Sequence, residues 1–136
     1  MISEHSPSVY VLDTHALYWY WTDPDRLGTN ANTALRRLEQ GQALGLVPFI
    51  VVAELHYLTG KLRRGLSVEE ILRLVDRASS LRLEAFTRRH LMAFGQLGDI
   101  PEMHDRLIGA VAIVHDAPLI TRDSALRDHP LVRVVW

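Results

Sequence analysis

Short apolar runs alternate with helical segments along this chain, and this alternation constrains the fold more than any other feature. The first run, residues 9–12, is too short for a buried helix and contains β-branched residues, so it predicts a strand. Strands separated by helices pair in parallel. The pattern therefore predicts an α/β fold with a mostly parallel central sheet. The predicted strands are residues 9–12, 43–47, 81–85, 118–121 and 131–135.

The segments between these strands show helical periodicity. Ser67 and Glu70 form a capping-box pattern that predicts a helix start at residue 68. The length of 136 residues and the 48% apolar content predict one globular domain that spans residues 1–136. The predicted helices are residues 15–20, 29–40, 50–59, 68–78, 87–97, 103–115 and the short patch 124–127.

Composition limits the compartment and the chemistry. The chain has no cysteine, which excludes disulfides and thiolate catalysis. The first seven residues lack the basic and apolar regions of a signal peptide, and no apolar run approaches the roughly 20 residues of a membrane span. We therefore expect a cytoplasmic protein without a membrane partner.

Four acidic residues occur where predicted elements begin or end, or inside an apolar run. Asp13 and Asp123 follow strands, Asp105 lies in the first turn of a helix, and Glu54 interrupts the apolar segment 50–58. Ligands bind outside the carboxyl ends of parallel strands, so these acids are expected to converge there. Clustered carboxylates repel one another unless a cation relieves them, and all-oxygen ligands suit Mg²⁺ or Mn²⁺.

Each position also has a simpler explanation. Asp13 and Asp123 are good helix N-caps, and Asp105 complements the dipole of its helix. Glu54 has no comparable local explanation. The triplet from Asp13 to His15 lacks the later motifs of metallophosphoesterases and the second aspartate of haloacid-dehalogenase phosphatases. No zinc-protease spacing occurs, so the remaining histidines are expected at the surface or half-buried: His56, His90, His115 and His129.

Four segments carry a family resemblance: residues 11–17, 53–55, 104–110 and 119–123. Together they resemble the acidic motifs of PIN-domain nucleases and, more narrowly, the VapC-type ribonuclease toxins of bacterial toxin–antitoxin pairs. The resemblance implies a PIN-like three-layer α/β/α sandwich and a Mg²⁺- or Mn²⁺-dependent endoribonuclease. It also implies an RNA substrate, a cognate antitoxin and a homodimer. The implied catalytic and metal-binding residues are Asp13, Glu54, Asp105 and Asp123.

Residues next to the acids are candidates for supporting roles. The resemblance gives Thr121 a supporting hydroxyl, and Thr14 is a second candidate of this kind. Two other functions remain open, a housekeeping RNA-processing nuclease and a non-catalytic module that binds RNA or protein. The candidate substrate contacts are His15, His104, Arg106 and Arg122.

The distribution of basic and aromatic residues indicates where the chain could contact RNA or another protein. The net charge is −1, but basic residues cluster, for example at 36–37, 61–64 and 88–89. Each cluster is either a solvated helix face or a set of phosphate contacts. The aromatic run of residues 18–21 points all round a helix, so one buried face cannot cover it. We expect it to form a dimer or antitoxin interface; base stacking and packing under a loop are the alternatives.

Overall fold

The computed structural model describes residues 6–136, and the first five residues of the N-terminal segment discussed above lie outside that range. The described chain alternates strands and helices as the sequence predicts. Strands are β1 (Val9–Leu12), β2 (Leu44–Pro48), β3 (Leu81–Glu84), β4 (Leu119–Ile120) and β5 (Val134–Val135). Helices are α1 (Thr14–Thr22), α2 (Thr29–Glu39), α3 (Phe49–Gly60), α4 (Val68–Arg77), α5 (Arg88–Gly95), α6 (Met103–His115) and α7 (Ser124–Arg127).

The five strands form one parallel sheet in the order β3-β2-β1-β4-β5. Residues 24–26 form a short 3-10 helix. Helices α1 to α4 connect β1 to β2 and β2 to β3, so the chain moves from the centre of the sheet to one edge. Helices α5 and α6 then return the chain across the sheet from β3 to β4. Right-handed crossovers place these two groups on opposite faces of the sheet. The predicted three-layer α/β/α fold is confirmed.

Strand β1 lies at the centre of the sheet and carries buried side chains on both faces. Val11 and Leu12 have no exposed surface, as expected for a parallel strand covered by helices on both sides. The chain pairs β1 with β2 on one edge and with β4 on the other. The direction of strand order therefore reverses between β1 and β4, which is where ligands bind in folds of this class.

The aromatic run of residues 18–21 is largely covered by this chain itself. Trp19 is only 3% exposed, and its ring lies 5.9 Å from that of Trp136. Tyr18, Tyr20 and Trp21 are half-buried against the core. The expected interface role is therefore wrong for Trp19. Trp136, from the other end of the sequence, packs against the face of α1 that carries Trp19. Within the described residues, no helix is both long and apolar enough to cross a bilayer.

Candidate active site

The four acidic residues meet in one cleft at the carboxyl edge of the sheet. Asp13 directly follows β1, and its backbone N–H donates to the carbonyl of Ile120 in β4, at 3.1 Å. Two residues separate Asp123 from the end of β4, so Asp13 and Asp123 both lie at the point where the strand order reverses. The cleft has a volume of about 290 Å³. It is lined by Asp13, Thr14, His15, Glu54, Asp105, Arg122 and Asp123.

Asp13 is fixed by two donors before any ligand arrives. One carboxylate oxygen accepts the backbone N–H of Thr14 at 2.7 Å, which caps α1, and the other accepts the hydroxyl of Thr121. Burial raises the pKa of the Asp13 carboxyl, while these hydrogen bonds oppose the shift. The expected support from Thr121 is therefore visible as a direct contact with Asp13.

Glu54 enters the cleft from α3 and is held by two neighbours. The Thr14 hydroxyl donates to its Oε1 at 2.7 Å, and Nδ1 of His104 lies 3.3 Å from its Oε2. These contacts give the carboxylate partners that its apolar helix cannot supply. They also bring the candidate residues Thr14 and His104 into contact with a proposed ligand.

Asp105 lies in the first turn of α6 but does not cap it. Glu102 is the N-cap, and its carboxylate accepts the Asp105 backbone N–H at 2.9 Å. The pKa of Asp105 is raised to about 7, first by burial and then by the negative charges of Asp123, Asp13, Glu102 and Glu54. All four acids line the same cleft, so Asp105 lies in the electrostatic field of the other three.

Asp123 combines the two roles that the sequence left open. Its Oδ1 accepts the backbone N–H of Leu126 at 3.1 Å and so caps the short helix α7. Its own N–H donates to the Thr121 hydroxyl at 3.1 Å. Asp123 is therefore both a helix cap and a residue of the cleft, and the capping hydrogen bond holds its carboxylate in place there.

Of the two predicted arginine contacts, one lines the cleft and one points elsewhere. Arg122 stacks on Trp19, with 4.3 Å between its guanidinium carbon and the ring centre, and reaches the cleft. Arg106 stacks on Phe94 at 4.0 Å and donates to the Phe94 carbonyl at 3.2 Å. Arg106 is committed to packing α6 against α5, so it is left out of the substrate contacts proposed below.

A second groove of about 260 Å³ adjoins the acidic cleft and shares three of its lining residues. Tyr57 and Lys61 are part of its wall, and Tyr57 is 76% exposed. Tyr57 is not among the residues that the acidic motifs indicate as functional. The signal was its position three residues after Glu54 on α3, which places both side chains on one helix face. The other lining residues are Thr14, His15, Glu54, Leu58 and His104.

The donors of the acidic cleft suit a hard divalent cation. They are carboxylate oxygens, and the raised pKa of Asp105 shows negative charge that a cation would relieve. A tighter group of metal-ligand side chains lies elsewhere in residues 6–136. It consists of Glu84, His90 and His115, whose donor atoms all lie within 4.8 Å of one another. The wider acidic cleft leaves room for the waters that Mg²⁺ retains when bound by proteins.

Two histidine predictions are wrong. His90 and His129 are buried, at 2% and 8% exposure, because each ring makes contacts across elements. His129 contacts the carboxylate of Asp99 at 2.8 Å. His90 lies between β3 and the end of α6, as described below.

Comparisons with known proteins show the family to which the chain belongs. The PIN domain family model matches residues 10–130. Ribonuclease VapC22 of Mycobacterium tuberculosis is 30% identical over 130 residues, 93% of this chain and 97% of that protein. VapBC2 from Rickettsia felis, bound to a DNA fragment from its promoter, has a TM-score of 0.70 at 21% identity, covering 93% of this chain and 96% of that one. FitAcB from Neisseria gonorrhoeae has a TM-score of 0.66 at 19% identity, covering 92% and 95%. The chain belongs to the PIN-domain family and is similar within it to VapC proteins.

Proposed function

We propose that this protein is a Mg²⁺- or Mn²⁺-dependent endoribonuclease that acts as the toxin of a toxin–antitoxin pair. One observation carries the proposal: four acids spread over 110 sequence positions line one cleft at the strand-order reversal. The similarity to a protein named Ribonuclease VapC22 supports RNA as the substrate. Retention of all four acids argues against a module that merely binds RNA, because carboxylates repel a polyanion.

The residues of the cleft divide into ligands and supports. Asp13 and Asp105 would hold the principal ion, and Glu54 and Asp123 would complete the site directly or through water. A bound ion of this class activates water and stabilises charge on the phosphate during in-line displacement. Thr121 and Thr14 orient the carboxylates beforehand through their hydroxyls, which lowers the cost of arranging the ligands.

The surroundings of the cleft suit a single-stranded RNA segment. Arg122 lines the acidic cleft and Lys61 lines the adjoining groove, so each contains a positively charged side chain, and His15 lines both. The exposed ring of Tyr57 in that groove offers a surface on which an unpaired base can stack. The local balance of charge, not the net charge of −1, therefore governs RNA contact.

An apolar groove between α1, α3 and α4 is the proposed antitoxin surface. Its volume is about 430 Å³, and Leu62 and Leu74 line it while remaining more than one-third exposed. Trp21 contributes to the same wall. Apolar side chains that stay open to water are typical of a surface covered by a partner.

The proposal also includes a homodimer of this chain. Sedimentation of the purified chain tests it.

Cleavage of mixed RNA by the purified chain tests the nuclease. We expect cleavage with Mg²⁺ or Mn²⁺, none with EDTA, and a loss of about 100-fold or more in Asp13→Asn and Asp105→Asn. Asp76→Asn, an exposed acid on α4, is the matched control and should cleave normally. Equal cleavage by all four proteins would exclude the metal-nuclease function.

Growth of bacteria that express the chain alone separates a toxin from a housekeeping nuclease. We expect arrest with the natural chain and with Asp76→Asn, and normal growth with Asp105→Asn at equal protein level. Cleavage in the tube without growth arrest would favour the RNA-processing alternative.

A further inference from the structure

A second group of metal-ligand side chains lies away from the acidic cleft. Glu84 ends β3, His90 lies in α5, and His115 is the last residue of α6. The Glu84 carboxylate lies between the two rings: Oε1 is 3.4 Å from Nε2 of His90, and Oε2 is 3.0 Å from Nε2 of His115. One donor atom from each of the three residues falls within 4.8 Å of the others.

The His90 ring supplies an independent reason to place a ligand here. Its side chain is 3% exposed, and its Nε2, although 3.4 Å from Oε1 of Glu84, makes no well-aligned hydrogen bond within the described chain. Buried polar atoms are rarely left unpaired, and a site for an ion is one recognised reason for an exception. On the other side of the ring, Nδ1 lies 2.7 Å from the Thr87 hydroxyl.

The Thr87 contact provides the arrangement that metal-binding histidines use. When Nδ1–H donates to the Thr87 oxygen, Nε2 carries the free lone pair and faces Glu84. The competing tautomer accepts the Thr87 backbone N–H at Nδ1 and places a proton on Nε2. Metal binding at Nε2 would select the first tautomer and give Nε2 a partner, while the Thr87 backbone N–H would lose Nδ1 as its acceptor.

We propose that Glu84, His90 and His115 form a transition-metal site for Zn²⁺ or an ion of the same class. Two imidazoles and one carboxylate are suited to Zn²⁺ rather than to Mg²⁺. Metal–ligand bonds of about 2.0–2.2 Å in a tetrahedron place donor atoms roughly 3.3–3.5 Å apart. The two separations in the structure, 3.4 Å and 3.0 Å, involve different oxygens of Glu84, and all three donor atoms lie within 4.8 Å of one another, so small side-chain shifts would bring them to this spacing. A water completes the coordination through the exposed side at His115.

This site is separate from the proposed nuclease site. His115 and Asp105 are ten residues apart on α6, a rise of about 15 Å along the helix. The ion would join the edge strand β3 to α5 and α6, and thus fasten together parts of the chain more than 30 residues apart. Its expected effect is on stability, whereas ions in the acidic cleft are expected to act in RNA cleavage.

Co²⁺ binding measured by visible absorption tests the site, because Co²⁺ replaces Zn²⁺ and its spectrum reports nitrogen ligands. The protein carries Asp13→Asn and Asp105→Asn, which disable the acidic cleft, and has no histidine tag. We expect one Co²⁺ per chain, displaced by one equivalent of Zn²⁺ and unaffected by excess Mg²⁺. Adding His115→Gln or Glu84→Gln should weaken binding about tenfold or more. Zn²⁺ should raise the melting temperature of the parent protein and not of these variants.

His56→Gln is the matched control, since His56 is an exposed histidine outside the group, and it should bind Co²⁺ normally. Circular dichroism confirms that each variant is folded. Equal Co²⁺ affinity in all variants, or no binding by the parent protein, overturns the second site. Binding by the unmutated protein that disappears with Asp13→Asn and Asp105→Asn would place the ion in the acidic cleft, which overturns this proposal and leaves the nuclease proposal standing.

Discussion

Asp105 carries an electrostatic cost in the acidic cleft, and that cost depends on pH. Its folded-state pKa of about 7 lies above the ordinary value of 3.8, so between these pH values the folded protein binds more protons than the unfolded chain. The free energy of unfolding of the metal-free protein should therefore fall as pH rises from about 4 to 7, and level off above 7. Solvent screening limits the contribution to roughly 1–2 kcal/mol.

Urea unfolding in EDTA at several pH values measures this effect. The Asp105→Asn variant lacks the titrating group, so its stability should decline less over the same interval and should equal or exceed that of the natural protein at pH 7.5. Parallel pH profiles for the two proteins would show that Asp105 titrates normally.

Thr121 is the residue through which two of the acids are connected. Its hydroxyl donates to Asp13 and accepts from the Asp123 backbone, and the side chain is fully buried. Thr121→Val keeps the shape and removes both hydrogen bonds. We expect a loss of about 1–3 kcal/mol in stability and a fall of about 10–100-fold in Mn²⁺ affinity. Calorimetric titration measures the affinity, and Thr33→Val, which removes an exposed hydroxyl from α2, should change neither quantity appreciably.

Helix α6 carries Asp105 and packs closely enough to require a glycine. A methyl group at Gly109 would lie 2.9 Å from a Leu97 side-chain carbon and 3.2 Å from one of Leu126. Gly109→Ala should therefore cost about 1–3 kcal/mol through overpacking. Gly95→Ala, at the end of α5 with open space around it, should be neutral or stabilising by up to about 1 kcal/mol. Denaturant unfolding compares them, and equal stabilities would mean that α6 can shift outward without cost.

The elements were predictable from sequence to within a few residues because their signals are local. The bounds of β1 and α6 agree with the predicted ones, and the Ser67–Glu70 capping box forms as expected. Strand β5 is shorter than predicted, since it pairs only with the two residues of β4. The convergence of the acids was predictable from parallel topology.

The orientations of individual side chains were not predictable, because they depend on partners far away in the sequence. Arg106 turns toward Phe94 of another helix, and Trp19 is covered by Trp136. The Glu84–His90–His115 group draws one residue from each of three elements, so no short spacing signals it. In each case the decisive contact joins segments that only the folded chain brings together.

At the scale of the whole molecule, the antitoxin groove and the acidic cleft are lined by different residues. Leu62→Glu or Leu74→Glu places a charge in the apolar groove and leaves the cleft intact. We expect these variants to cleave RNA normally while neutralisation by the co-expressed antitoxin is weakened by tenfold or more, about 1.4 kcal/mol. RNA cleavage at increasing antitoxin concentration measures the change. Leu131→Glu, exposed outside the groove, should be neutralised like the natural chain, and equal neutralisation of all variants would move the antitoxin elsewhere.

The hydrogen bond between Asp13 and Thr121 joins residues 108 positions apart. Because the ribosome makes the chain in sequence order, Asp13 is synthesised well before Thr121. A ribosome adds about 5–20 residues per second, so Asp13 waits roughly 5–20 s before its partner exists. Late in that interval, once residue 84 has been added, the growing chain has the residues of β1, β2 and β3 but not those of β4 or Asp123, and the central strand lacks one of its two neighbours. A half-made chain therefore has no complete cleft. On the proposed function, the messenger RNA being translated is safe from the protein it encodes until the last part of the sequence has emerged.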